Sequence, residues 1–92
     1  MIISFADKRT ERFAKGEFVK EFVSFERVAR RKLMQLEVAG DLNDLRIPPG
    51  NRLEKLSGNR DGEHSIRINE QYKLCFVWSS SGPCNVEITD YH

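Results

Sequence analysis

The hydrophobic residues of this chain change their spacing once, across Ile47, Pro48, Pro49, Gly50 and Asn51, and that switch limits the folds open to it. Before the switch, Phe25, Val28, Ala29, Leu33, Leu36 and Ala39 recur at steps of three and four, the period of a helix with one buried face. After it, Ile66 and Ile68, then Tyr72, Leu74, Phe76 and Trp78, then Val86 and Ile88 recur at steps of two, the period of a half-buried strand. The paired prolines cannot continue either pattern, so Ile47 to Asn51 is expected to be an extended or turning connector.

Local signals subdivide the two halves. Ile2 to Phe5 reads as a short strand with room to join a sheet as an edge, and Asp7 to Lys15 as a short helix ended by Gly16, with Phe13 and Ala14 turned inward. The longer helix is expected to start at an N-cap on Ser24 and stop at Gly40, and Asp41 to Leu45 to add one helical turn. Beyond the connector, Leu53 to Leu56 is a short strand and Ser57 to Gly62 a polar loop. Asn69 to Gln71 and Ser79 to Pro83 are turns that fold the remainder, through a last strand over Asn85 to Tyr91, into a meander. Elements segregated in this way predict an α+β fold in two layers: two N-terminal helices packed on one face of a twisted antiparallel β-sheet, in a single domain spanning residues 1–92.

A chain of 92 residues with 39% hydrophobic and 32% charged side chains is globular in composition, with a small core. It contains no apolar run near the ~20 residues that cross a bilayer. Met1 to Ala6 is followed at once by Asp7, Lys8 and Arg9, unlike a secretory signal, so a cytoplasmic protein with no membrane partner is expected. A hairpin centred on Ser80 and Ser81 puts Cys84 near Val77 rather than Cys75, which predicts two reduced thiols. Neither cysteine has a second Cys or His at zinc-ligand spacing, and no cofactor is expected.

The net charge of +1 conceals two basic sets. Arg27, Arg30, Arg31 and Lys32 crowd one stretch of the long helix, which is either a solvated face or a nucleic-acid footprint. Arg46, Arg52, Lys55, Arg60, Arg67 and Lys73 are spread through the second half. Strand parity sorts them: with Ile66, Ile68, Leu74, Phe76, Val86 and Ile88 facing the helices, Arg67, Lys73, Thr89 and Tyr91 share the opposite, uncovered face. Two cations and a phenol on one sheet face can hold a phosphodiester and stack a base, although any half-exposed sheet carries such residues on its wet side. Strict parity sends His92 to the helix side unless the pleat breaks after Asp90, and His64 to a packed or strand-end position.

The segment Gly62 to Phe76 (G-E-H-S-I-R-I-N-E-Q-Y-K-L-C-F), preceded by Asn51 to Gly58 (N-R-L-E-K-L-S-G) and followed by the terminal D-Y-H, resembles the RelE/ParE toxin superfamily, and within it the HigB type. The likeness covers almost the whole chain. It implies a bacterial toxin that cleaves mRNA in the ribosomal A site without a metal, through attack of a ribose 2′-hydroxyl on its own 3′ phosphate. Under that resemblance Arg67 faces the scissile phosphate, His92 is the general acid, Tyr91 stacks or orients the substrate, and Glu54 is either the base or a surface carboxylate paired with Lys55 or Arg52. Lys73 stands where relatives often carry arginine, and so keeps the charge without the bidentate fork. Ser57 stands where some carry a basic residue, and Arg60 can supply that charge from the loop. Arg52, Lys55 and Arg60, with Arg30, Arg31 and Lys32 on the helix, would grip RNA of the message and the ribosome. The resemblance also implies a HigA-like helix-turn-helix antitoxin whose complex with the toxin binds operator DNA. The alternative is a non-catalytic ParE-like toxin that binds a protein target such as DNA gyrase.

Overall fold

A computed structural model describes residues 1–90. Two α-helices, α1 (Lys8–Ala14) and α2 (Glu26–Val38), precede an antiparallel sheet of four strands in the order β1 (Glu54–Lys55), β2 (His64–Arg67), β3 (Tyr72–Ser79) and β4 (Gly82–Asp90). The sheet-side residues Ile66, Ile68, Leu74, Phe76, Val86 and Ile88 are buried in one cluster with Ala29, Leu33 and Leu36 of α2 and with Phe13, Phe22 and Phe25. The two-layer arrangement and its inward-facing residues therefore match the periodicity. Burial of these apolar faces is the main favourable contribution, at about 25 cal/mol per Å².

Helix α1 stops where glycine demands it. Gly16 takes a positive φ of 98°, and its N–H reaches Phe13 O at 3.0 Å while Glu17 N–H reaches Arg12 O at 3.0 Å, the paired bonds of a Schellman motif. Helix α2 departs from expectation at both ends. Ser24 is not its N-cap: a 3-10 turn over Lys20–Phe25 leads directly into the helix, because burying Phe22 and Phe25 draws that segment onto the core. At the other end Ala39 turns extended and the Asp44 carboxylate accepts from Gly40 N–H at 3.0 Å and Asp41 N–H at 3.1 Å, so a capping box rather than glycine conformation sets the exit. Leu42–Arg46 forms the added turn, in 3-10 geometry.

The N-terminal segment joins as an edge, running parallel to β4 through a bridge between Phe5 and Val86 and bonds from Ile3 N–H to Pro83 O and from Val86 N–H to Ser4 O. It lies so close to the β3–β4 hairpin that a Cβ on Gly82 would stand 2.4 Å from Met1 O. Register across the hairpin shifts between Cys75 and Val77, with Asn85 at φ 52° absorbing the bulge. Cys84 lies opposite Val77, and both cysteines are free thiols. Among the described residues no helix is long and apolar enough to cross a membrane.

Candidate functional site

Register places the charged residues of the outer sheet face in two rows. Glu54 pairs with Ser65, Ser65 with Cys75 and Cys75 with Glu87; one step along, Arg67 pairs with Lys73 and Lys73 with Thr89. Directly opposed residues in an antiparallel ladder project to the same side, so both rows share one face. Arg67, Lys73 and Thr89, grouped by parity, are therefore neighbours across three strands.

The two rows differ in cover. Ser65 and Cys75 are buried, because the loop between β1 and β2 folds back over their row. Within that loop Gly58–Arg60 makes a 3-10 turn, and the Arg60 guanidinium donates to Glu63 at 3.1 Å and to Glu87 at 3.0 Å. Burial opposes the Arg60 charge, yet the hydrogen bond to Glu87 and the fields of Cys75, Glu87 and Glu63 outweigh it and hold the guanidinium above its ordinary pKa. Burial also pushes the Cys75 thiol up to about 11 against the opposing fields of Arg60 and Lys73, so it is a poor nucleophile. The face read as uncovered is thus half closed, and Arg60 is neutralised by two carboxylates.

Beyond that row the face opens into a shallow cleft of about 270 Å³ lined by Arg52, Glu54, Arg67 and Glu70. Arg67 is aimed by its own turn: its Nε donates to the Asn69 carbonyl at 3.2 Å, while the Asn69 side chain accepts from Gln71 N–H at 2.8 Å and Tyr72 N–H at 2.7 Å. Such an Asx turn fixes the β2–β3 connection without a glycine. Gln71 then donates to the Asp90 carboxylate at 2.9 Å, tying the turn to the end of β4. Tyr91 and His92 lie outside the described residues.

Of the residues singled out by sequence, the fold brings together Arg52, Glu54, Arg67 and Lys73. It does not bring Lys55, which is paired with His64 and projects to the side opposite Glu54, so of the two cations offered as surface partners for Glu54 only Arg52 shares its cleft. Two helix residues require correction as RNA contacts. Lys32 is 6% exposed and donates to the Asn51 side chain, with its pKa lowered by burial and then by Arg31, so no phosphate can reach it. Arg30 donates to Phe13 O at 2.7 Å, Glu17 O at 3.3 Å and Glu26 at 3.2 Å and lies 4.0 Å over the Phe13 ring, a clamp between α2 and the end of α1. Arg31 is exposed, on α2 in the helix layer. His64 packs against Phe76 at 6.4 Å between ring centres; burial, then Lys55 and Arg46, lower its pKa. Glu70, Asn69 and Asn51 were not anticipated. An asparagine opening a polar turn is a readable signal for Asn69, whereas Glu70 and Asn51 look like any other loop residues.

The profile of the RelE-like toxins of HigB-type toxin–antitoxin systems matches residues 3–92. Toxin HigB-1 of Vibrio cholerae is 45% identical over 80 residues, covering 85% of this chain and 84% of its own length. A Haemophilus influenzae protein is 40% identical over 55 residues, 60% of this chain and 54% of its own length. The fold also matches a chain of the YoeB–YefM complex from Staphylococcus aureus, with a TM-score of 0.64 over 100% of this chain and 95% of that one, at 23% identity. The chain belongs to the HigB-like family, the RelE-like toxins of type II toxin–antitoxin systems.

Proposed function

We propose that this toxin is a ribosome-dependent endoribonuclease that cuts mRNA in the A site without a metal ion. The observation that carries the reading is the cleft itself, which sets a carboxylate, Glu54, beside the Arg67 guanidinium, with Arg52 on its wall. Lys73 flanks Arg67 on the neighbouring strand. In-line cleavage of RNA needs these parts: a base for the 2′-hydroxyl, cations for the charge that builds on the phosphorane, and an acid for the departing 5′ oxygen.

Glu54 takes the proton from the ribose 2′-hydroxyl, and the oxygen attacks the adjacent 3′ phosphorus. Arg67 and Lys73 balance the extra negative charge on the phosphoryl oxygens, Arg67 with a planar fork and Lys73 as a point charge. His92 gives a proton to the 5′ oxygen as the P–O bond breaks, leaving a 2′,3′-cyclic phosphate and a free 5′-hydroxyl. Tyr91 stacks on or orients the substrate. Both residues come directly after Asp90, the residue that follows Thr89 at the end of the Arg67–Lys73 row. Exposed Arg31 on the helix layer and Arg52 at the cleft give cationic contacts to ribosomal and messenger RNA. Control would come in the cytoplasm from a HigA-like helix-turn-helix antitoxin that binds operator DNA with the toxin; the shared fold with a chain of the YoeB–YefM complex from Staphylococcus aureus supports a partnership of this kind.

Primer extension on a transcript during expression tests the reading. Codon-phased cuts with the wild type, lost when His92 is deleted or replaced as His92→Gln in a folded protein, are the expected result. Intact RNA accompanied by DNA damage would overturn it in favour of gyrase poisoning.

A further inference from the structure

Lys32 and Asn51 play no part in the chemistry above, yet both are buried, and lysine is almost never buried unless it is paired. Asn51 is fully enclosed, at 0% exposure. Its Oδ1 accepts from the Lys32 amine on α2. Its Nδ2 donates to Gln35 Oε1 at 3.0 Å, on the same helix, and to Leu45 O at 3.1 Å. One side chain of the connector is thereby pegged to helix α2 and to the 3-10 turn before it. An apolar residue could fill the space, but only a polar one is held in direction as well as position.

The next residue, Arg52, explains the need for direction. It adopts φ 47° and ψ 57°, the left-handed conformation that residues with a Cβ avoid. A residue persists there only when its surroundings over-determine it. The chain then enters β1 two residues later at Glu54, and Arg52 and Glu54 are two of the four residues lining the cleft with Arg67. The fixed point, the left-handed turn and the cleft wall are consecutive along the chain.

We propose that the Lys32–Asn51 peg is a positioning device for the cleft: by fixing the connector to α2 it holds Arg52 in its left-handed turn and so sets the Arg52 guanidinium against Arg67. Lys32 and Asn51 are positioning residues, not catalytic ones. The inference rests on the reading of the cleft as the RNA-cleaving site.

A double-mutant cycle on cleavage by purified toxin on programmed ribosomes tests it, with Lys32→Met, Arg52→Ala and the double variant compared by kcat and KM, and folding checked by circular dichroism and thermal melting. Each single change is expected to lower kcat about tenfold or more with less effect on KM, since small misplacements at a reacting centre are costly in rate. Because Lys32 acts through Arg52, the double variant should be no slower than the slower single one. Fold-changes that multiply, or a folded Lys32→Met that cleaves at the wild-type rate, would overturn the proposal. Should Lys32→Met fail to fold, Gln35→Leu, which removes one acceptor from Asn51 at the less buried end of the network, enters the same cycle and is judged by the same outcomes. Arg67→Ala run alongside separates the two levels. If it cleaves like the wild type, the cleft reading fails and the peg with it; if it is inactive while the cycle multiplies, the peg alone is wrong.

Discussion

The two basic regions invert between chain and fold: the one crowded in sequence is dispersed in space, and the one scattered in sequence converges. On α2, four cations stand within six positions, yet Lys32 is buried against Asn51 and Arg30 is spent on two carbonyls, a carboxylate and an aromatic ring. Around the cleft, Arg52, Arg67 and Lys73 are far apart in sequence and converge, because antiparallel register puts Arg67 opposite Lys73 and the connector delivers Arg52 to the cleft that Arg67 lines. Density of charge in sequence thus says little about density of charge in space. A helix winds neighbouring residues onto different faces, whereas a sheet brings distant residues onto one.

The largest contrast is expected in activity. Arg67→Ala should lower cleavage on ribosomes by about a hundredfold or more, in line with losing one preorganised donor to a developing anion, while Arg31→Ala should change it only a few-fold and mainly through the salt dependence of binding. Equal losses from the two would break the distinction between cleft and helix.

In stability the order reverses. Arg30→Ala removes three hydrogen bonds and the contact with the Phe13 ring, and should cost about 1–3 kcal/mol in urea unfolding, while cleavage per folded molecule stays near wild type. A stability equal to wild type would show that the clamp is an ordinary surface arginine.

A smaller effect sharpens the division within the outer face. With Cys75 enclosed and its thiol pushed up to about 11, iodoacetamide at pH 8 should label Cys84 in the native protein and reach Cys75 only after unfolding, as read by peptide mass. Rapid labelling of Cys75 would mean that the Arg60 loop does not close its row.

The smallest effect concerns His64, on the helix side. Its folded pKa lies below the ordinary 6.5, so the unfolded chain takes up a proton more readily. Its neutral form contributes stability in full above pH 6.5, and that contribution declines as pH falls from there through the folded value. Urea midpoints should drop slightly between pH 7.5 and 5.5, and less in His64→Phe. A profile unchanged by that substitution would place the acid sensitivity elsewhere.

The parts of the molecule governed by period are legible without coordinates. The alternation of Ile66, Ile68, Leu74, Phe76, Val86 and Ile88 requires one buried sheet face, and their neighbours Arg67, Lys73 and Thr89 must then share the other. The spacing from Phe25 to Ala39 likewise requires a helix, although its start is not at Ser24, because Phe22 and Phe25 pull the preceding residues into the core as a 3-10 turn. Resemblance adds the family and the residues that bear on its chemistry, but not their surroundings.

What the chain determined by itself was therefore its periodicity: two layers, a meander, and which residues face which side. Only the tertiary structure decided which of its cations are available. Arg60 is closed by Glu63 and Glu87, Arg30 is bound to the end of α1, Lys32 is buried against Asn51, and Arg52 is held in a left-handed turn at the cleft. Backbone periodicity is a local property, written in side-chain spacing over a few residues, whereas the partner of a long charged side chain is chosen among groups far along the chain by desolvation and hydrogen-bond geometry that exist only once the layers have packed.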